Sequence, residues 1–151
     1  MKLILASISP RRSRAKSSAA DTLTSDYLAR ASRYNPCEAQ LFDTEASLLT
    51  WLDRNSARTA PTVILCDSRG DQLSSEDLAT RIGRLRDSAT QLAVFAIGPA
   101  DGWSAAARTR AALTIAFGRI TLPHELARAV LAEQLYRALT ILAAHPYHSG
   151  H

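Results

Sequence analysis

Two spacings of apolar residues alternate along this chain, one suited to buried strands and the other to one-sided helices. Lys2-Leu3-Ile4-Leu5-Ala6 is a short apolar run closed by Ser9-Pro10, which predicts a strand ending near Ser7 and then a loop. From Ser17 to Ser32, Leu23, Tyr27 and Leu28 recur at helical spacing. Residues 37–42 read as a second strand, and from Thr44 to Asn55 the residues Leu48, Leu49 and Leu52 share one helical face. Thr62-Val63-Ile64-Leu65-Cys66 is a buried strand, followed by a turn at Ser68-Arg69-Gly70. Ser74 or Ser75 can then cap a helix that carries Leu78, Ile82 and Leu85. Leu92 to Ile97 reads as a strand, Gly98 to Gly102 as a loop, Trp103 to Ala112 as a short helix and Leu113 to Phe117 as a short strand. From Leu122 onward Leu126, Val130, Leu131, Leu135, Leu139 and Leu142 keep the 3.6-residue period of the longest helix, with Pro123 accommodated in its first turn.

Strands that alternate with helices predict an α/β fold, a mainly parallel sheet flanked by helices whose ligands bind beyond the carboxyl ends of the strands. No internal repeat or linker interrupts the pattern, so residues 1–151 read as a single domain. With 46% hydrophobic residues, a chain of 151 can bury on the order of two thirds of its unfolded surface. No apolar run approaches the roughly 20 residues that span a bilayer, and the opening run is short for a secretory signal, so a cytoplasmic protein without membrane contact is expected. Cys37 and Cys66 match no metal spacing and are expected to be free thiols without a role.

The net charge of +4 is concentrated at the front: Lys2, Arg11, Arg12, Arg14, Lys16, Arg30 and Arg33 face only Asp21 and Asp26 within residues 1–36. Such a segment suits a phosphate backbone without reading its sequence, and it equally suits a solvated face. The other chemically dense region is the tail, where Tyr136, Arg137, His145, Tyr147 and His148 lie close together. His145, His148 and His151 are spaced three apart, but Pro146 breaks helical geometry between them and no carboxylate adjoins, so no functional metal is expected.

Leu122-Pro123-His124, Leu131-Ala132-Glu133-Gln134-Leu135-Tyr136-Arg137-Ala138 and His145-Pro146-Tyr147-His148 together resemble the bacterial RlmH family of SPOUT-superfamily methyltransferases. Ile97-Gly98, Asp101-Gly102, Phe117-Gly118, Leu65-Cys66 and Leu73-Ser74-Ser75-Glu76 extend the likeness over roughly residues 61–148. The resemblance implies a SPOUT-type fold with a C-terminal trefoil knot, in which the loops after Leu65, after Ile97 and around 117–122 form one cleft. It implies an S-adenosylmethionine-dependent enzyme that methylates N3 of a pseudouridine in 23S rRNA of the assembled ribosome. It further implies a homodimer in which a partner's tail completes the cleft, which would account for Leu139 and Leu142 near the end of the helix.

Carried over by position, the cofactor site comprises Leu65, Gly98, Phe117, Gly118, Arg119, Ile120, Thr121 and Leu122. Removing an imide proton from a pyrimidine calls for a base tuned near neutrality or a cation to stabilise the anion, and His148 and Arg137 are the catalytic candidates. Tyr147 could stack on a base or hydrogen-bond the nucleotide, and Arg137 could instead pair with Glu133 one turn earlier. Pro99 stands where the family usually carries a second glycine, which removes a backbone donor. That substitution opens an alternative, a non-catalytic RNA- or ribosome-binding protein with an impaired cofactor loop. A third likeness, of Leu3 to Arg12 to the opening of Maf-type nucleotide pyrophosphatases, stops after about ten residues.

Overall fold

The computed structural model describes residues 1–11 and 18–149. Arg12, Arg14 and Lys16 of the basic segment, and His151 of the histidine series, lie outside the described residues. Strands β1 (Lys2–Ile8), β2 (Cys37–Phe42), β3 (Thr62–Gln72), β4 (Leu92–Ile97) and β5 (Leu113–Ala116) alternate with helices α1 (Ala19–Ala31), α2 (Glu45–Arg54), α3 (Ser75–Asp87), α4 (Ala105–Arg110) and α5 (His124–Leu142). The strands form one sheet in the order β2-β1-β4-β3-β5, parallel at every pairing.

Helix starts follow from capping chemistry. Ser18, Thr44 and Ser74 each accept from the backbone N–H three residues on, and Asp21, Ser47 and Asp77 bond back to the capping residue. α5 begins differently, after Pro123 and with no side-chain cap. Alternate residues of the strands feed two cores. Leu3, Leu5, Ile64 and Phe95 pack with α1, α3 and α5 through Leu28, Ile82, Leu131 and Leu135, while Ile4, Val63, Leu65 and Val94 pack with α2 and α4 through Leu48, Leu52 and Ala107. Burial on both faces explains the continuous apolar runs read as strands.

Three expectations need correction. The turn expected at Ser68-Arg69-Gly70 is an excursion inside β3, which leaves β5 after Cys66 and pairs with it again at Asp71 and Gln72. Gly70 makes this possible, since a Cβ there would lie 2.6 Å from the Ile115 carbonyl carbon. Leu126, assigned to the apolar stripe of α5, is 46% exposed, because the helix is covered by α1 and α3 only along its other side. Leu139 and Leu142 need no second copy to cover them: Leu139 is buried in the core, and Leu142 packs on it within contact reach of Gly83 of α3. Of the basic residues described near the front, Lys2, Arg11 and Arg30 pair with Glu38, Asp43 and Asp26, as on a solvated face.

Leu131→Ala should therefore destabilise the fold by about 2–5 kcal/mol in urea titration, whereas Leu126→Ala should change it by no more than about 0.5 kcal/mol. Equal effects would contradict the burial assigned to α5.

Candidate functional site

Because β3 pairs with both β4 and β5, these strands deliver their carboxyl ends side by side. Residues 66–69, 97–103, 117–118 and 120–124 enclose a cleft of about 610 Å³ at that edge. Of the expected cofactor positions, Gly98, Phe117, Gly118, Ile120, Thr121 and Leu122 line the cleft. Leu65 does not; it is 1% exposed and sits in β3 between Ala96 and Thr114. Arg119 shares the 117–122 segment but lies outside the lining.

The loop after β4 is held by direct contacts. The Trp103 indole donates to the Cys66 carbonyl at 3.0 Å, which ties the loop to β3. Gly98 lies against the same ring, so that a Cβ would come within 2.6 Å of Trp103 Cε2. Pro99 closes its turn through its carbonyl, accepting from the Gly102 N–H at 3.0 Å, and the missing proline donor is not called on there. Gly102 supplies the positive φ of 89° that the turn requires.

The Asp67 side chain is 6% exposed at the cleft wall, where the Arg108 guanidinium lies 2.8 Å away and Arg69 donates through its backbone N–H at 2.9 Å. Burial pushes its carboxyl up, but the bonds from Arg69 and Arg108 outweigh this and hold it below the usual carboxylate range. Burial, with the charge of Arg128 adding to it, lowers the His124 imidazole below its ordinary value, so the ring is neutral at pH 7; its Nε2 is buried without a hydrogen-bond partner. Burial pushes the Cys66 thiol up to about 12, which removes a thiolate nucleophile from the cleft.

The tail builds a second polar centre. After α5 the chain reverses at Ala144, with φ 53°, and His145 N–H returns to the Thr140 carbonyl at 2.9 Å. Tyr147 then packs tilted against Tyr136, ring centres 4.6 Å apart, and under the Arg137 guanidinium. One oxygen of Glu133 accepts from Arg137 Nε at 3.0 Å, Arg137 Nη2 at 2.6 Å and Tyr147 Oη at 3.0 Å. Arg137 also meets His148 Nδ1 at 3.2 Å, and His148 Nε2 lies 2.7 Å from Glu76. A guanidinium can only donate, so Nδ1 accepts and Nε2 carries the proton toward Glu76. The bond to Glu133 raises the Arg137 pKa and keeps it charged, while burial and the bonds to Tyr27 and Glu133 push the Tyr147 phenol upward. Tyr147 is accordingly a donor at neutral pH.

The expected residues thus gather into two groups, the cleft positions and the trio Arg137, Tyr147 and His148. The alternative partner foreseen for Arg137, Glu133, is realised together with its contact to His148. Sequence reading missed Asp67, Trp103 and Arg108, whose contacts join distant segments. It also assigned no chemical role to His124 or Glu76, and gave Glu133 only that of a partner for Arg137. Only Glu133 carried a local signal, its position one turn before Arg137. Among the described residues no group of three or more His, Cys, Asp or Glu could hold a metal ion, and no helix is long and apolar enough to cross a membrane.

A family model described as "Predicted SPOUT methyltransferase" matches residues 1–148, including the opening segment. The chain is 51% identical over 136 residues to ribosomal RNA large subunit methyltransferase H of Koribacter versatilis, covering 90% of this chain and 92% of that protein. It is 56% identical over 86 residues to the protein of the same name from Xanthobacter autotrophicus, covering 57% of this chain and 54% of that one. Among solved structures, the SpoU methyltransferase AviRb from Streptomyces viridochromogenes, crystallised with AdoMet, is similar in fold with a TM-score of 0.50 at 15% identity; the match covers 95% of this chain and 58% of that one.

The depressed Asp67 carboxyl makes a signed prediction. Its contribution is present above the unfolded value, near pH 3.9, and is lost as pH falls through the lower folded value. Asp67→Asn should be less stable than the parent by about 1–3 kcal/mol at pH 7 in urea titration, with the gap closing below about pH 4. A gap that persists at pH 2.5 would exclude the ion pair as its source.

Proposed function

The chain belongs to the SPOUT methyltransferase family, and from that premise we propose that it is an S-adenosylmethionine-dependent enzyme that methylates N3 of a pseudouridine in 23S rRNA of the assembled ribosome. The observation that carries this reading is the meeting of three strand-end segments in one cleft, with glycines where a ligand must approach main chain. At about 610 Å³ the cleft falls in the range of roughly 300–1,000 Å³ that small-molecule and cofactor sites occupy. Gly98 and Gly118 leave backbone accessible to an adenine edge or ribose, and His124 lines the cleft beside them. These residues fit the cofactor. Bound there, S-adenosylmethionine supplies a methyl carbon: the acceptor nitrogen forms the new N–C bond, the S–C electron pair stays on sulfur, and the nitrogen's proton passes to a base.

The protein's part is mainly positioning and charge. Asp67 and Trp103 hold two of the segments at fixed separation. The charged Arg137 is suited to stabilise the anion left by imide deprotonation. Tyr147, which keeps its proton, is suited to stack or donate. His148 has its one free-base lone pair on Nδ1, directed at Arg137, so accepting a proton requires those two side chains to part.

The same reading includes a homodimer, in which the tail of one copy completes the cleft of the other, a C-terminal segment threaded as a trefoil knot, and a cytoplasmic location. Ile120, 81% exposed at the cleft, and the exposed Leu126 of α5 supply apolar surface for such a neighbour.

Calorimetry should detect S-adenosylmethionine at micromolar to sub-millimolar dissociation constants; silence at millimolar ligand would count heavily against the assignment. With labelled cofactor and ribosomes lacking the modification, label should pass to 23S rRNA, and Arg137→Ala or His148→Ala should slow transfer by roughly 10²-fold or more. RNA binding without transfer would instead support a non-catalytic ribosome-binding protein.

A further inference from the structure

A second cavity, of about 410 Å³, lies beside the cleft and shares Phe117 and Gly118 with it. Gln72, Ser74, Ser75 and Gln134 give it polar groups, Leu78 and Val130 give it apolar wall, and none of its lining residues is ionisable. We propose that this cavity receives the acceptor base, a pyrimidine turned out of its RNA strand, with Gln134 reading the N1–H and C2 carbonyl edge of a pseudouridine and leaving N3 free. The proposal rests on the methyl-transfer reading above and adds to it the place of the acceptor.

The lining carries no formal charge, so it suits a ligand that arrives uncharged. A neutral planar ligand with edge donors and acceptors suits it, and Phe117 offers an aromatic ring at the boundary. A pseudouridine presents N1–H beside the C2 carbonyl, on an edge that leaves N3 open to the methyl donor, so reading it needs an acceptor and a donor side by side. Gln134 is held ready to supply them. Its Nε2 donates to Glu133 at 2.7 Å and its Oε1 accepts from the Ser75 hydroxyl at 2.8 Å. Because a carboxylate cannot donate, the amide cannot be flipped, and one N–H and one oxygen lone pair of a single planar group are left for a ligand.

Position supports the same conclusion. At Gly118, φ is 110° and a Cβ would meet nothing within 4 Å, so the junction of the two cavities is open. On the far side, Gln134 leans on the same Glu133 that holds Arg137 and Tyr147, and Glu76, next to Ser75, holds His148. One carboxylate, Glu133, thus ties the amide that would read the base to the cation that its deprotonation calls for.

The test uses full-length protein with S-adenosylmethionine and ribosomes lacking the modification. Gln134→Leu keeps the side-chain size but loses both polar groups, Ser75→Ala removes only the hydroxyl that orients the amide, and Val130→Phe narrows the cavity. We expect all three to bind S-adenosylmethionine within about twofold of the parent while kcat/KM for rRNA falls roughly 10- to 100-fold for Gln134→Leu, less for Ser75→Ala. Transfer at parental efficiency in Gln134→Leu and Val130→Phe would overturn the proposal, as would parallel loss of cofactor binding, which would place Gln134 in the other site. If the parent itself neither binds S-adenosylmethionine nor transfers a methyl group, the methyl-transfer reading fails and takes this one with it.

Discussion

A parallel sheet cannot leave either face in water, and that requirement shapes everything else in this molecule. Each crossover must lay a helix on one face or the other, which places α1, α3 and α5 against one core and α2 and α4 against the other. All strands then point the same way, so their carboxyl ends and the loops that follow them share one edge. The cleft there is a product of coverage, and local chemistry only decides its lining. Placing β3 between β4 and β5 brings the three contributing loops together.

Within that frame two carboxylates organise the polar groups. Asp67 gathers Arg69 and Arg108 at the cleft wall, and Glu133 gathers Arg137, Tyr147 and Gln134 at the tail. Both acids are largely shielded and fully partnered, which is the condition under which a buried charge is tolerated. Loops tied to a rigid sheet in this way hold their geometry without a ligand, and a site that transfers a small group depends on such pre-set positions.

Elements whose signal is local were readable in the chain. Cys37–Phe42 and Leu92–Ile97 have the bounds read from the sequence, and Ser74 caps α3 as its side chain permits. β3 was harder, since Ser68-Arg69-Gly70 has turn composition and its return to β5 depends on backbone contact with Ile115, 45 positions later by numbering from Gly70. Periodicity placed Leu126 inward because it marks a face of a helix and cannot say how wide the cover over that face will be. At the site, glycines and the tail motif were visible through family resemblance. The partners that fix them were not: Trp103 reaches Cys66 and Glu76 reaches His148 across separations at which no sequence pattern operates.

Glu133 has one oxygen on which Arg137 and Tyr147 both converge, and this has a dynamic consequence. Tyr147 meets Glu133 through its phenol and Arg137 through its ring, so both contacts are lost together when this one side chain leaves, and the adjoining His148 is drawn away from Arg137 with it. The segment after α5 should therefore behave as a cooperative latch, either wholly seated or wholly released, with little gradual fraying between.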